Sequence, residues 1–139
     1  MQERTIRDVM TPNPSTLSAD SSVAEAAKLM KREDVGVIPV VEGERLVGTV
    51  TDRDIAIRVV AEGKDPSSVS MREIASTDLV TIDPQQNVGK ALRLMADHQV
   101  RRLPVVEADG RLVGIVAQAD VAQEAEPAHV GEAVEEISR

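Results

Sequence analysis

Apolar residues recur at helical spacing in two long stretches of the chain, and each stretch follows a residue that favours a helix start. The first predicts a helix that runs to about Glu33, with a capping box formed by Ser22 and Glu25. Its inward face carries Val23, Ala26, Ala27 and Met30. The second predicts a helix that is capped by Asn87 and ends at His98.

Apolar runs separated by turn residues predict two β-hairpins. The paired runs are residues 37–41 with 45–50, and residues 103–107 with 111–116. Residues 42–44 form the first turn, while Asp109-Gly110 is a pair that favours tight turns. Pro39 indicates an edge or irregular position in its strand, because proline cannot donate a hydrogen bond to a neighbouring strand.

Shorter elements are predicted around these helices and hairpins. They are helical turns at residues 5–10 and 71–75, extended pieces at 15–17 and 80–82, a loop at 11–14, and helices at 52–61 and 119–124. Residues 62–68 are the clearest linker, since they are rich in Gly, Pro and Ser. Val130, Val134 and Ile137 recur at helical spacing and predict a short amphipathic helix in the C-terminal tail.

The chain contains the same sequence pattern twice. Residues 26–54 match residues 91–120, since both contain Leu-Met, Pro-Val-Val-Glu and Arg-Leu-Val-Gly in that order and both end at Asp. We predict an α/β (α+β) fold in which two pseudo-symmetric strand-helix-strand-strand-helix repeats share one core, because each repeat alone buries too little surface. The predicted organisation is repeat 1 at residues 5–62, a linker at 63–70, repeat 2 at 71–125 and the tail at 126–139.

Composition narrows the possible functions. A formal net charge of -8 and the absence of aromatic residues argue against nucleic-acid binding, which needs basic surface and stacking platforms. The chain has no cysteine, so disulfides and thiolate metal sites are excluded. No apolar run reaches membrane-spanning length, and the first seven residues lack the apolar core of a signal peptide, so we expect a cytoplasmic protein that binds no membrane.

The Pro-Val-Val core strands and the ending Gly48-x-Val-Thr-x-x-Asp54 resemble the CBS domain, and two such repeats in tandem resemble a Bateman module. Residues 51–57, 63–66 and 98–105 are similar to the small stand-alone CBS pairs of the hypoxic-response type. The resemblance implies a regulatory or sensor module that binds AMP, ADP, ATP or sometimes S-adenosylmethionine in two clefts between the repeats. It also implies a homodimer, and we expect any regulated protein target to be met in trans.

Thr51 and Asp54 are the sharpest candidates for ligand contact. A carboxylate accepts hydrogen bonds from both vicinal hydroxyls of a ribose, and a Thr hydroxyl with free N–H groups at a helix start suits a phosphate. The same two residues also form an ordinary helix cap. The two interpretations are compatible, because a capped helix start can still receive a phosphate.

The resemblance implies that basic residues just before the second core strand contact the phosphates of a nucleotide. The ribose of the same nucleotide would lie on Asp54. Here the basic residues are Arg101 and Arg102, with Val100 beside them, and guanidinium groups recognise phosphate through paired donors. Arg53 is a further candidate, unless it points to water. The alternative is that one of the paired arginines is a solvated strand-edge residue and the other pairs with an acid such as Glu107.

A second, weaker site is expected around Asp120. Ala117 stands where the motif has Thr or Ser, so the hydroxyl for a phosphate and the helix cap are both lost. The matching strand start has no arginine pair, and Ala26, Val35 and Val37 are candidate aliphatic contacts. We therefore expect one competent cleft per chain, with the second empty or binding a less charged adenosyl ligand.

Catalysis and metal binding are not expected. The sequence has no Ser-His-Asp pattern, no thiol and no phosphate-binding glycine loop, so we expect the protein to be non-catalytic. His98 and His129 have no second ligand at metal spacing. A structural or protein-interaction module with a vestigial nucleotide site remains the alternative to a sensor.

Overall fold

The computed structural model describes residues 4–123, so the predicted tail helix lies outside the described residues. The first half contains α1 (Ile6–Val9), β1 (Thr11–Pro12), β2 (Leu17–Ser18), α2 (Val23–Glu33), β3 (Val37–Glu42), β4 (Arg45–Thr51), α3 (Asp52–Ile55) and a π-helical segment (Ala56–Val60). The second half contains α4 (Met71–Ile74), α5 (Val88–His98), β5 (Arg102–Val106), β6 (Leu112–Ala117) and α6 (Gln118–Ala122). The predicted mixed α+β fold is confirmed.

The described chain forms two compact units that do not follow the order of the repeats. Residues 15–79 form one unit, which we call the continuous unit. Residues 4–14 and 80–123 form the other, which we call the split unit. The opening turn of each repeat therefore belongs to the unit that holds the other repeat's hairpin.

Each unit has a three-stranded sheet built on one hairpin. In the continuous unit the order is β2-β3-β4, with β2 parallel and β4 antiparallel to β3. In the split unit the order is β1-β6-β5, and both pairings are antiparallel. Pro39 lies in a central strand, but β2 reaches only Val40 and Val41, where the ladder also shifts register. The missing N–H of Pro39 is thus tolerated.

The opening turns contact the opposite hairpins in the same way in both units. β1 pairs Thr11 with Ile115 of β6, and the equivalent bridge in the continuous unit joins Ser76 to Thr49. Ion pairs repeat the pattern, with Arg7 on Glu107 and Arg72 on Glu42. The two units are therefore built by one scheme, each from parts of both repeats.

Two glycines permit this close approach. A Cβ atom on Gly48 would lie 2.9 Å from the Ala75 Cβ and 3.0 Å from the Ser76 carbonyl oxygen. A Cβ atom on Gly114 would lie 2.9 Å from the Thr11 carbonyl oxygen. Real side chains do not approach so closely, so the Arg-Leu-Val-Gly motif ends in Gly because the opening turn of the other repeat lies against it.

The two repeats share buried cores as predicted, but the buried apolar side chains of the described residues form two clusters instead of one. One cluster lies in the continuous unit under α2, and the other lies in the split unit under α5. Each sheet has its own amphipathic helix of eleven residues to cover it, which explains the division. The opening turns contribute to the opposite cluster, with Met71 and Ile74 in the first and Ile6 in the second.

The long helices match their predicted bounds, and several shorter elements differ. Ser22 accepts a hydrogen bond from the Glu25 N–H, and Asn87 caps α5 through the Lys90 N–H at 2.8 Å. The predicted loop at residues 11–14 contains β1, which forms because its backbone pairs with β6. The predicted strand at residues 80–82 is reduced to one bridge from Ile82 to Val105. The helix predicted at residues 52–61 changes from α to π at Ala56.

Candidate functional site

Thr51 and Asp54 form a complete capping box where β4 meets α3. The Asp54 Oδ2 accepts a hydrogen bond from the Thr51 N–H at 2.8 Å, and the Thr51 Oγ1 accepts one from the Asp54 N–H at 3.1 Å. The Asp54 side chain is only 19% exposed, and its Oδ1 lies 4.0 Å from the Arg58 Nε. The cap interpretation is therefore confirmed, and the capping bond restrains one oxygen of the carboxylate at the end of the strand.

The start of β3 lies directly beside this capping box. Val37 pairs with Thr51, and the Gly36 carbonyl oxygen accepts a hydrogen bond from the Asp52 N–H at 3.0 Å. Val35 is 41% exposed. Ala26, by contrast, is fully buried in the cluster of the continuous unit, so packing accounts for it and it is not available as a ligand contact.

The split unit has the same geometry with different side chains. Arg102 pairs with Ala117, and the Arg101 carbonyl oxygen accepts a hydrogen bond from the Gln118 N–H at 2.7 Å. Ala117 makes no side-chain cap, and Asp120 is exposed at the third position of α6. Arg101 and Arg102 thus match Gly36 and Val37 in position.

The structure therefore divides the predicted site residues between the units. Thr51, Arg53 and Asp54 lie in the continuous unit with Val35 and Val37. Val100, Arg101, Arg102 and Asp120 lie together in the split unit. The predicted pairings of Asp54 with the two arginines, and of Asp120 with the two valines, join residues of different units and stay predictions.

The basic candidates are exposed, as a role in anion contact requires. Arg53, Arg101 and Arg102 are all exposed, whereas Val100 is half-buried against the cluster of the split unit. Glu107, the acid considered as an alternative partner for the arginines, instead pairs with Arg7. The structure therefore does not contain the alternative ion pair between Glu107 and Arg101 or Arg102.

A separate groove of about 370 Å³ lies between β2 and α2 in the continuous unit. Its lining residues are Ser15, Thr16, Leu17, Glu25, Lys28, Leu29 and Arg32. None of the predicted ligand contacts lines it. No sequence pattern predicts the groove, because its walls come from two segments with no shared motif.

Neither a metal-binding cluster nor a membrane-spanning helix occurs in the described part of the chain. Residues 4–123 contain no cluster of His, Cys, Asp or Glu suited to a metal ion, and His98 is exposed at the end of α5. His129 lies outside these residues. Every helix in the same range is too short or too polar to span a bilayer.

Comparison with known proteins gives consistent matches over most of the chain. The model of the CBS domain matches residues 6–61 and 71–126. The CBS domain-containing protein YhcV of Bacillus subtilis is 47% identical over 117 residues, which are 84% of this chain and 82% of that protein. Hypoxic response protein 1 of Mycobacterium tuberculosis is 37% identical over 120 residues, which are 86% of this chain and 83% of that protein.

Solved structures agree with these matches. The crystal structure of Hypoxic Response Protein I with two coordinated zinc ions has a TM-score of 0.79 and 36% identity, over 88% of this chain and 99% of that one. CBSX2 in complex with AMP has a TM-score of 0.71 and 27% identity, over 98% and 99%. The CBS domain pair of MJ0100 with 5-methylthioadenosine and S-adenosyl-L-methionine has a TM-score of 0.72 and 26% identity, over 88% and 95%.

Proposed function

Because the chain belongs to the CBS-domain family, we propose that it is a non-catalytic regulatory or sensor module that binds an adenosine-containing ligand such as AMP, ADP or ATP. The complexes of CBSX2 with AMP and of MJ0100 with S-adenosyl-L-methionine support this ligand class. The module acts as a homodimer on a protein partner in trans. A ligand can change the surface that the module presents to its partner only if it binds two states of the module with different affinities.

The proposal assigns each site residue a role. Asp54 accepts hydrogen bonds from the ribose hydroxyls, because a carboxylate has acceptor sites left after one cap bond. The Thr51 Oγ1 accepts from the Asp54 N–H, so its own O–H proton remains to donate to a phosphate. Arg101 and Arg102 contact the phosphates through their guanidinium groups, with Arg53 as an additional cation.

The observation that carries this proposal is the state of the Asp54 carboxylate. It is mostly buried, its Oδ2 accepts a hydrogen bond from the Thr51 N–H, and its Oδ1 lies 4.0 Å from the Arg58 Nε. A carboxylate held in one orientation loses little side-chain entropy when a ribose binds, which favours affinity. Asp120 lacks the equivalent cap because position 117 is Ala, so we propose that its site, with Val35 and Val37, is the weaker one.

A structural or interaction module with a vestigial site is the second candidate. It is favoured by the completeness of the capping box, which explains Thr51 and Asp54 without any ligand. On this candidate, Thr51→Ala costs about 1 kcal/mol of unfolding free energy through the lost cap. It has no effect on ligand binding, because no ligand binds.

Calorimetric titration with AMP, ADP, ATP and S-adenosylmethionine tests the proposal, since a chain without aromatic residues offers no fluorescence signal. The key variant is Asp54→Asn, which keeps an oxygen for the Thr51 N–H and removes the charge. We expect one ligand per chain and a loss of at least about tenfold in affinity in this variant, the cost of a charged hydrogen bond.

The matched control is Asp52→Asn, two residues earlier in the same helix turn. Asp52 is exposed, and its Oδ1 accepts a hydrogen bond from the neighbouring Arg53 N–H at 2.8 Å. We expect wild-type affinity in this control. Equal affinity of the Asp54→Asn variant and the wild type refutes the assigned site, and no heat with any of the four ligands favours the interaction module.

A further inference from the structure

Arg58 lies one helical turn after Asp54 and contacts two groups of the continuous unit. Its Nε lies 4.0 Å from the Asp54 Oδ1, and its Nη1 donates a hydrogen bond to the Ile74 carbonyl oxygen at 3.0 Å. Ile74 is the last residue of α4, and the last carbonyl groups of a helix have no partner within it. Arg58 therefore satisfies a helix end on one side and faces the carboxylate on the other.

The Asp54 carboxylate is thus held from two directions. The Thr51 N–H fixes Oδ2 at 2.8 Å, and Arg58 faces Oδ1. Two vicinal hydroxyls are recognised by one carboxylate only when both oxygens are presented in the plane of the diol, so rotation about the last side-chain bond weakens that recognition. The capping bond alone restrains one oxygen, and Arg58 is the group placed to restrain the other.

The backbone under Arg58 is itself fixed by hydrogen bonds of the π segment and of the turn that closes it at Gly63. The Ala61 N–H donates to the Ala56 carbonyl oxygen at 2.9 Å, and the Lys64 N–H donates to the Val59 carbonyl oxygen at 3.0 Å. Val59 is fully buried in the cluster of the continuous unit. Single π turns inside helices are frequent at functional sites. The segment gives Arg58 a fixed base although its side chain is 52% exposed.

The second repeat lacks this arrangement in its sequence. The residue four positions after Asp120 is Glu124, so a like charge replaces the cation that follows Asp54. On a helix, an acid four residues before a base attracts it, and the sequence of the second repeat has no base at that position. Position 117 also holds Ala where the first repeat has Thr51. Both differences favour Asp54 over Asp120 as the stronger ribose contact.

We propose that Arg58 is a positioning residue for ribose recognition, which holds the Asp54 carboxylate for the two vicinal hydroxyls and links it to the end of α4. This inference rests on the proposed function, because it concerns the same ligand. It adds a residue outside the family motif and a selectivity for ligands that keep both ribose hydroxyls.

The test compares two nucleotides that differ only at those hydroxyls. AMP and 2′,3′-dideoxy-AMP are titrated into the wild-type protein, Arg58→Ala, Arg58→Lys and the control Arg45→Ala, an exposed arginine at the start of β4. We expect Arg58→Ala to weaken AMP binding about fivefold, as for one lost polar restraint, and to leave the dideoxy ligand unchanged. Arg58→Lys restores part of the loss, and Arg45→Ala behaves as the wild type.

An equal loss for both nucleotides overturns the inference, because a general structural or phosphate role moves both affinities together. A wild-type protein that binds none of AMP, ADP, ATP and S-adenosylmethionine counts against the proposed function instead. The link between the two residues is then decided by urea unfolding of Asp54→Asn, Arg58→Ala and the double variant. We expect the combined change in the unfolding constant to differ about twofold from the product of the single changes. Strict additivity overturns the inference.

Discussion

Gly48→Ala tests how the opening turn of the second repeat packs against the first hairpin. The new Cβ atom would lie 2.9 Å from the Ala75 Cβ and 3.0 Å from the Ser76 carbonyl oxygen. Both neighbours belong to the segment after α4, so one side of the contact must move. Overpacking of this kind costs about 1–3 kcal/mol.

The movement also strains the bridge between Thr49 and Ser76. Its two backbone hydrogen bonds measure 3.0 and 2.9 Å, and each contributes about 1 kcal/mol net. We therefore expect Gly48→Ala to lower the free energy of unfolding by about 2–4 kcal/mol, measured by urea denaturation with circular dichroism.

Gly36→Ala is the matched control for this prediction. A Cβ atom on Gly36 meets the Asp52 Oδ2 at 3.2 Å, which is the mobile end of an exposed side chain. The entropy lost by the unfolded chain is the same in both variants, so their difference isolates the steric clash. Adding Ala75→Gly to Gly48→Ala removes one of the two close neighbours and should recover part of the loss. A Gly48→Ala variant no less stable than Gly36→Ala would refute the packing argument.

Three further predictions concern the helix ends and the exposed apolar surface. Asp34 ends α2 in the left-handed region at φ 56°, so Asp34→Gly should raise the free energy of unfolding by about 0.5–1 kcal/mol in urea denaturation. The Ser70 N–H and then its O–H hold the pKa of Glu73 below its ordinary value. This contribution to stability is present above the pKa of the unfolded chain and is lost as pH falls through the lowered pKa, so Glu73→Gln should remove that part of the acid dependence of melting. Ile57 and Val60 are 46% and 67% exposed; if they form the homodimer surface, Val60→Lys should change a dimer to a monomer in sedimentation with an unchanged circular dichroism spectrum.

The sequence predicted best the elements that are defined locally. The helices α2 and α5 end at the predicted residues, because each has a capping side chain and an apolar face of its own. The turn of the second hairpin is one residue longer than that of the first, since two residues separate Glu42 from Arg45 and three separate Glu107 from Arg111. Elements that depend on distant contacts were missed or reduced.

Three such features show why. β1 has two residues and exists only because β6 supplies its partner, so no apolar pattern marks it. In the π segment after α3, each N–H bonds to the carbonyl group five residues earlier, whereas in an α-helix the partner is four residues earlier. The apolar spacing of Ile55, Val59 and Val60 is compatible with both geometries, so the sequence does not distinguish them. No sequence pattern singles out Arg58, because its bond to the Ile74 carbonyl oxygen requires a turn sixteen positions away.

The exchange of opening turns gives the duplication a physical role. Residues 15–54 hold the first hairpin and the Thr51–Asp54 box, but the bridge to Thr49 and the carbonyl oxygen that Arg58 contacts come from residues 74–76. Met71 and Ile74, which are almost fully buried, complete the same hydrophobic cluster. The first repeat therefore supplies the chemistry of this candidate half-site, while the start of the second repeat supplies its support. The site residues accordingly differ between the repeats, with Ala117 opposite Thr51 and Arg101 opposite Gly36, while each repeat supplies the turn that pairs with the other repeat's hairpin.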